Sequence, residues 1–450
     1  MELPKSFLNS IEHCPGFDLD NFIIAHQQTA PTSIRLNPFK PADLSFNLNT
    51  PVLWNSQGFY LQDRPNFTHD LLFQTGCYYV QEAGSMFIEH ALKSCVDFDQ
   101  QLLALDVCAA PGGKSTLLNS LLNSESTLVA NEIIKQRSQI LEQNICKWGT
   151  ANVIVTNNDP AMFTEAINTF DIILIDAPCS GSGLFRKQAD AVDEWSLDNV
   201  NLCCQRQKRI LSDVIPSLKP DGTLVYSTCS YSSQENEAIA DWLITEFNLV
   251  TVNIPIEKNW GIIETQTEIH KAFGYRFYPD KTNSEGFFCT VFKRQSDEQP
   301  ALYRKTKYDA FEIIKPKENP VFEPWVNDLN QHHIIKFKDD YLLTNALTID
   351  FINKYKHLYF KKVGTTIGSL AKNTVVPHHD LALSIHLNKD VNQTELDKEA
   401  AILFMKKELL QLNGDIGWSL ITHQHFGLGW VKNLGNRFNN YLPNDFRILK

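Results

Sequence analysis

The chain has no run of about 18 apolar residues, so no transmembrane helix is expected. Its first residues, MELPKSFLNSIEHCPG, lack the apolar core and small-residue cleavage site of a secretory signal. No C-x-x-C pair occurs, which argues against a zinc ribbon or a thioredoxin-type site. With no secretion signal, the ten cysteines read as free thiols in a reducing cytosol, each either core filler or chemistry. None of them lies in the last 150 residues. An excess of positive charge is also lacking: 41 Lys+Arg stand against 52 Asp+Glu, net −11, which taken alone argues against a nucleic-acid partner. No internal repeat or low-complexity tract is present.

The content is that of an ordinary globular protein. Hydrophobic residues make up 43% and charged residues 21%, so the bulk is neither disordered nor collagen-like. At 450 residues, two or three domains are expected. The charge is unevenly placed. Residues 301–450 carry 20 basic and 16 acidic side chains, or +4, which leaves −15 on residues 1–300. Such a split points to an appendage that meets a polyanion.

Residues 1–100 read as a mixed α/β subdomain, with a short strand at 33–38 ended by its proline and a helix over 81–92. From about residue 100, short apolar runs alternate with helical stretches. Strands are expected at 102–107, 127–131, 152–156, 171–176 and 222–229, with helices at 114–123, 133–147, 161–168 and 198–218. This alternation predicts a doubly wound, Rossmann-like parallel sheet over 101–295. Runs at 249–254 and 286–292 add later strands, antiparallel at an edge. Residues 296–310 read as a linker. Residues 311–450 read as a separate α+β module, with a helix near 396–410 and a Gly-rich end.

The strongest local signal is Leu105-Asp106-Val107-Cys108-Ala109-Ala110-Pro111-Gly112-Gly113-Lys114-Ser115. A buried strand runs into a small-residue loop and then a helix. In a doubly wound sheet that turn holds a nucleotide-like ligand on backbone N–H groups at the helix N-terminus. The loop lacks the G-x-G-x-x-G of a nicotinamide site. A phosphate-binding P-loop would need glycine where Cys108 stands. Glu132, at the end of the next strand, suits ribose hydroxyls, and Asn158-Asp159-Pro160 after the third strand suits an adenine edge.

Two thiols follow the next two strands. Asp176-Ala177-Pro178-Cys179-Ser180-Gly181-Ser182-Gly183 ends the fourth, and Tyr226-Ser227-Thr228-Cys229-Ser230-Tyr231 ends the fifth. One such cysteine is usually core; two on adjacent strands beside a nucleoside-type site suggest chemistry. Carbon 5 of a pyrimidine is a poor nucleophile, but a thiolate adding at carbon 6 makes it electron-rich enough to attack a methyl cation equivalent. The adduct must then lose the carbon-5 proton and expel the thiol, a step that a second thiol assists. An acid such as Asp176 can hold the ring nitrogen protonated during addition. A free thiol ionises near pH 8.5, so the attacking one needs help to form a thiolate.

At these residues the sequence resembles the Sun/Fmu family of RNA cytosine-5 methyltransferases, near its bacterial RsmF-like branch. The resemblance spans roughly residues 10–295. It rests on Gln81-Glu82-Ala83-Gly84-Ser85-Met86, the CAAPGGK run, Glu132, Asp159, the DAPCSG run, Thr228-Cys229-Ser230 and Glu285-Gly286-Phe287-Phe288. It implies an S-adenosylmethionine cofactor bound by Cys108, Ala109, Ala110, Pro111, Gly112, Gly113, Lys114, Glu132, Asp159 and Asp176. It implies Cys229 as nucleophile, Cys179 as the thiol that assists release, and Asp176 as a contact to the target base. Arg186-Lys187 and Gln205-Arg206 fall where the family has residues near substrate. The chain departs from the pattern at Ser115, where Thr is common, at Gly84, at Gln188-Ala189, and at Asp280, where His is frequent.

Residues 377–383, 427–432 and 437–443 resemble the PUA-like RNA-binding extension of the same branch. There Trp430, Lys432, Arg437 and Tyr441 fit base stacking with phosphate contact. His378-His379 lacks the cysteine or spaced carboxylate that would complete a metal site, so no metal is expected. The resemblance implies an RNA methyltransferase acting on structured RNA, foremost small-subunit (16S) ribosomal RNA or the 30S subunit; the absent signal and apolar run add a cytoplasmic protein with no membrane attachment, a monomer being the working expectation for an oligomeric state that the sequence leaves open. The alternatives are a transfer RNA cytosine-5 methyltransferase, a non-catalytic RNA-binding ribosome assembly factor, a P-loop NTPase built on Gly113-Lys114-Ser115, and a methyltransferase acting on DNA.

Overall fold

The computed structural model describes residues 3–188, 190–295, 311–314, 320–408 and 415–449. The linker expected at 296–310, Ala189, and residues 409–410 of the expected late helix lie outside the described residues.

The N-terminal part carries helices α1 (Lys5–Ile11), α2 (Leu19–His26), α3 (Leu71–Gln74) and α4 (Phe87–Lys93), with strands β1 (Thr32–Leu36), β2 (Gly58–Leu61) and β3 (Tyr78–Val80). The strands form an antiparallel sheet in the order β2-β1-β3. The helix expected over 81–92 begins later. Glu82 receives the backbone N–H groups of Gly84 and Ser85 at 2.9 Å, and a short 3-10 turn precedes α4.

The central sheet then builds in sequence: β4 (Leu103–Asp106), α5 (Gly113–Leu121), β5 (Thr127–Asn131), α6 (Lys135–Trp148), β6 (Val153–Thr156), β7 (Phe170–Asp176), α7 (Asp190–Glu194), α8 (Leu197–Val214), β8 (Leu218–Thr228) and α9 (Glu237–Glu246). Strands β9 (Leu249–Thr251), β10 (Ile263–Gln266), β11 (Phe273–Phe277) and β12 (Phe287–Arg294) follow. Its order is β10-β11-β12-β8-β7-β4-β5-β6, with β9 beside β12. Strands β4 to β8 pair in parallel, and β12 runs antiparallel to β8. Both faces of the parallel strands are buried, which is why they read as unbroken apolar runs. The chain winds outward from β4 through β5 to β6, then returns to β7 and β8 on the other side. The gap between β4 and β7 is therefore the topological switch point, where such sheets place ligands. The helix expected at 161–168 is only a 3-10 segment, Pro160–Glu165, and the backbone turns left-handed at Asn168.

The C-terminal residues form β13 (Glu312–Ile313), β14 (His333–Phe337), β15 (Asp340–Thr344), α10 (Ala346–Lys354), β16 (Phe360–Val363), β17 (Thr365–Ala371), β18 (Thr374–Pro377) and α11 (His379–Ala382). These precede β19 (Gln393–Glu395), α12 (Lys398–Met405), β20 (Gly417–His423), β21 (Phe426–Asn433) and β22 (Phe438–Asn440). Two sheets result, β13-β14-β15-β17-β18 and β19-β20-β21-β22. This region is less separate than the sequence suggests. Strand β16 pairs antiparallel with β6 and extends the central sheet. Phe351, Tyr355, Leu358 and Val363 join the same apolar core as Leu105, Phe170 and Leu218. Asn345 donates to the carbonyls of Ser124 and Ser126, at 2.9 and 2.8 Å.

Candidate active site

The turn after β4 is locked from several sides. Asn131 accepts the N–H of Ala109 at 2.8 Å through its backbone carbonyl. Arg137 donates to the carbonyl of Ala110 at 2.7 Å, and Asn144 to that of Pro111 at 2.8 Å. Gly112 caps α5 with φ +116°, a left-handed conformation that disfavours any side chain. The cavity beside this turn is lined by Cys108, Ala109, Ala110, Pro111, Gly113, Lys114 and Asp176, faced by Tyr79, Gln81 and Glu82 of the N-terminal part. The buried guanidinium of Arg35 holds Gln81 at 2.8 Å and the hydroxyl of Thr116 on α5 at 2.7 Å, which fixes one wall against the other.

Glu132 and Asp159 sit at the ends of β5 and β6, outside that lining. Glu132 is 2% exposed, takes the N–H of Ile134 at 2.9 Å and lies 3.5 Å from Arg137. Asp159 caps the 3-10 segment through the N–H of Ala161 and lies 3.7 Å from Arg209. Asn158 is committed elsewhere: its amide exchanges hydrogen bonds with the backbone of Tyr359, at 3.2 and 2.9 Å, and so holds the start of β16.

Asp106 is a residue whose importance the sequence reading missed. It is wholly buried at the end of β4, and Ser115 donates to one of its oxygens at 2.7 Å. Among the described residues its other oxygen has no hydrogen-bond partner. Burial pushes its pKa up to about 7. The signal was present, an acid at the end of a buried strand, but it stood inside a motif that drew attention to the glycines.

Lys114 bridges the cofactor-type turn and the thiol loops. Its ammonium lies 2.8 Å from Asp176, whose other oxygen accepts the hydroxyl of Ser227 at 2.9 Å. Burial works against the Lys114 charge, but Asp176, Cys229 and Asp106 together outweigh it and the net shift is upward. Beyond Asp176, the chain reaches Cys179 on a loop that crosses the end of β8. The sulfurs of Cys179 and Cys229 are 3.0 Å apart. The hydrogen bond to Cys229 and then burial hold the Cys179 thiol well above the usual range, so it stays protonated at neutral pH. The crossing needs glycine at Gly183. Its N–H donates to the carbonyl of Cys229 at 2.8 Å, and a Cβ there would stand 2.7 Å from that oxygen and 2.4 Å from the carbonyl of Gly286.

Other expected substrate contacts are placed differently. Arg186 is buried in an ion pair with Glu285 at 2.9 Å and also donates to the carbonyl of Ser284, so it braces the loop before β12. Lys187, Gln205 and Arg206 are exposed. The Asp280 side chain is 4% exposed and pairs with Lys281 at 2.9 Å. In the C-terminal region Trp430 is core, 1% exposed, with its indole N–H on the carbonyl of His378 at 2.9 Å. The partly exposed aromatic pair of this region is formed instead by Trp418, which the sequence reading passed over, with Tyr441. Trp418 lies 4.5 Å from Tyr441 ring to ring, and the Lys432 ammonium sits 5.1 Å from the Trp418 ring. His379 is buried and neutral, its pKa pushed down to about 3 by burial. Among the described residues no group of three metal-binding side chains gathers, and no helix is long and apolar enough to cross a membrane.

Three family descriptions match successive parts of the chain. Residues 3–83 match the N-terminal domain of 16S rRNA methyltransferase RsmF, residues 95–293 match 16S rRNA methyltransferase RsmB/F, and residues 391–448 match the methyltransferase RsmF PUA domain. Ribosomal RNA small subunit methyltransferase F from Shewanella piezotolerans is 29% identical, over 98% of this chain and 96% of that protein. The protein of the same name from Vibrio vulnificus is 28% identical, over 98% and 97%. Among solved structures, a methyltransferase homologue from Pyrococcus horikoshii is 28% identical with a TM-score of 0.52, covering 65% of this chain and all of that one. The fold is also shared with NSun6 from Pyrococcus horikoshii with SFG, at 19% identity, a TM-score of 0.54, and coverage of 65% of this chain and 99% of that one. The matches follow one another through all three parts of the molecule, and the chain belongs to the 16S rRNA methyltransferase RsmB/F family, in its RsmF branch.

Proposed function

We propose that the protein transfers a methyl group from S-adenosylmethionine to carbon 5 of a cytosine in 16S ribosomal RNA, through a covalent bond from Cys229. The single observation that carries this reading is the pair of sulfurs 3.0 Å apart at neighbouring strand ends, beside an Asp176–Lys114 pair that leads to the cofactor-type turn.

The residues present fit the cofactor. The turn at Cys108 to Lys114 offers backbone N–H groups at a helix start, and buried Asp106 has an oxygen that lacks a donor. Glu132 and Asp159 supply acceptors at the next two strand ends. When bound, S-adenosylmethionine supplies an electrophilic methyl group for carbon 5. The protein does the rest. Cys229, as thiolate, adds to carbon 6, and the electron pair of the 5,6 double bond moves to carbon 5. After methylation the carbon-5 proton passes to a solvent water acting as base, the C–H electron pair re-forms the double bond, and the carbon–sulfur bond breaks to return the thiolate. Cys179, held as a thiol against the departing sulfur, steadies that charge through its S–H group. Asp176 is assigned the task of holding the ring nitrogen in its protonated form during addition. The target base must leave any helical stack to expose carbon 6.

The half-buried Trp418 beside exposed Tyr441, with Lys432 over the indole and Arg437 nearby in sequence, supports contact with unpaired RNA in the C-terminal module. The 30S subunit as partner and the cytoplasm as compartment are consistent with that substrate. Bisulfite sequencing of ribosomal and transfer RNA from cells with and without the protein tests the reading. One 16S cytosine should lose its protection when the protein is removed. Loss of protection in transfer RNA alone would contradict the assignment, and unchanged RNA with labelled methyl transfer to DNA would overturn the substrate class.

A further inference from the structure

The two sulfurs belong to loops on different strands, and Glu235 lies buried beneath both, with a relative exposure of 0%. Among the described residues, every hydrogen-bond partner of its carboxylate is neutral. One oxygen accepts the backbone N–H of Ser180 at 2.8 Å and the amide of Gln207 at 3.4 Å. The other accepts the hydroxyls of Ser180 at 2.6 Å and Ser230 at 2.5 Å. Ser180 follows Cys179 and Ser230 follows Cys229, so one carboxylate grips the neighbour of each thiol.

The brackets close on both sides. Gln207, from α8, also donates to the carbonyl of Pro178 at 3.1 Å, which ties the residue before Cys179 to the same network. Asn236 accepts the hydroxyl of Thr228 at 2.5 Å and donates to the carbonyl of Ser230 at 2.8 Å, one partner on each side of Cys229. Tyr226 on β8 anchors the Glu235 carbonyl at 2.6 Å. Each group aimed at the carboxylate can donate to it, which suits the ionised form, an acceptor only, while burial works against that charge and pushes the pKa up. Burying that charge without a counter-ion is costly. A fold that needed only packing here would be served better by a neutral side chain.

We infer that Glu235 is a positioning residue for methyl transfer: its carboxylate holds the Cys179 and Cys229 loops in register, so that Cys179 reaches the Cys229 sulfur when the covalent intermediate breaks down. This rests on the roles given above to the two thiols. It assigns a task to a residue that touches neither substrate nor cofactor.

The test uses the full chain with a 16S RNA transcript and S-adenosylmethionine, following turnover and, on denaturing gels, formation and decay of the protein–RNA adduct. Glu235→Gln keeps the shape and one acceptor but replaces the other with an NH2 group, which the Ser180 and Ser230 hydroxyls must reorient to accept. Loss of register by a fraction of an ångström to one ångström should lower kcat about 30- to 100-fold, with KM for RNA and cofactor within about threefold, and the adduct should persist longer. In a Cys179→Ala background the same substitution should lengthen adduct life no further. Ser180→Ala, which removes one grip on the Cys179 side, should slow decay more than formation, and it carries the test alone if Glu235→Gln does not fold. Unchanged decay in both variants overturns the inference, as does a raised KM with normal kcat, or an effect that persists in full without Cys179. No adduct from the unaltered protein or from Cys179→Ala would instead remove the covalent reading on which the inference stands.

Discussion

At the scale of single residues, the site is a set of side chains whose ionisation is governed by burial. Asp106 is the sharpest case, since its carboxyl titrates near pH 7 in the fold and near 3.8 when free. Between those values the unfolded chain has released a proton that the folded chain keeps. Stability from this group therefore falls as pH rises from about 4 and levels off above about 7. Between about pH 5 and about pH 8 the loss is roughly 3 kcal/mol for a fully buried carboxyl. Asp106→Asn should remove most of that slope, measured as the midpoint of denaturant unfolding of the cofactor-free protein across this range. An unaltered slope in the variant would show that Asp106 is not the group responsible. This residue was legible as part of a motif but not as a buried acid with a vacant oxygen, because no local pattern tells which atoms a neighbouring strand will satisfy.

At the scale of elements, the parallel strands were readable because each is buried on both faces and stands between helices of contrasting period. The switch point followed from the order of those strands, and with it the meeting of the β4 and β7 turns. Strand β16 was not readable. FKKV is too short and too polar to announce that it will pair with β6, about 200 residues earlier, and pairing at that distance is decided by packing. The sheet β19-β20-β21-β22 shows the same limit. The interleaving of Trp430 with Lys432, Arg437 and Tyr441 suggested a stacking role for it, yet a continuous buried run in β21 takes it inward, and Trp418 on β20 lies opposite Lys432. That exchange alters which substitutions matter. Trp418→Ala and Tyr441→Ala should each weaken binding of a 16S RNA transcript by about 5- to 100-fold, as stacked aromatics do, while cofactor affinity stays unchanged. RNA affinity equal to that of the parent in the double variant would rule out this face.

At the scale of the whole molecule, three segments are fastened around α6. The buried ammonium of Lys40 donates to the carbonyls of Thr75, Lys147 and Leu383, at 2.8, 2.6 and 2.5 Å, and so joins the N-terminal part, the methyltransferase core and the C-terminal region at one point. Together with β16 and the shared core, this makes the C-terminal region a component of the enzyme's body as well as the carrier of its less acidic charge. Removing it would uncover the edge of β6 and the apolar core around Phe170 that Phe351 and Tyr355 cover, so its contribution to RNA affinity is better read from surface substitutions than from truncation. The sequence's charge split fits this arrangement: the acidic body holds the cofactor-type cavity, and the region of opposite net sign adjoins it. The thiols were legible from their positions at strand ends, whereas the carboxylate that grips their loops was not, because Glu235 lies in a turn and meets Ser180 only through the crossing of two loops.

The central claim is that the Cys229 sulfur bonds to the pyrimidine ring and that Cys179 assists its release. The most direct measurement incubates Cys179→Ala with a 16S RNA transcript and S-adenosylmethionine and separates the products on a denaturing gel. A protein–RNA species that survives denaturation, and that vanishes in Cys179→Ala/Cys229→Ala, is the result the account predicts. An adduct that persists without Cys229, or normal methylation by Cys229→Ala, would contradict it.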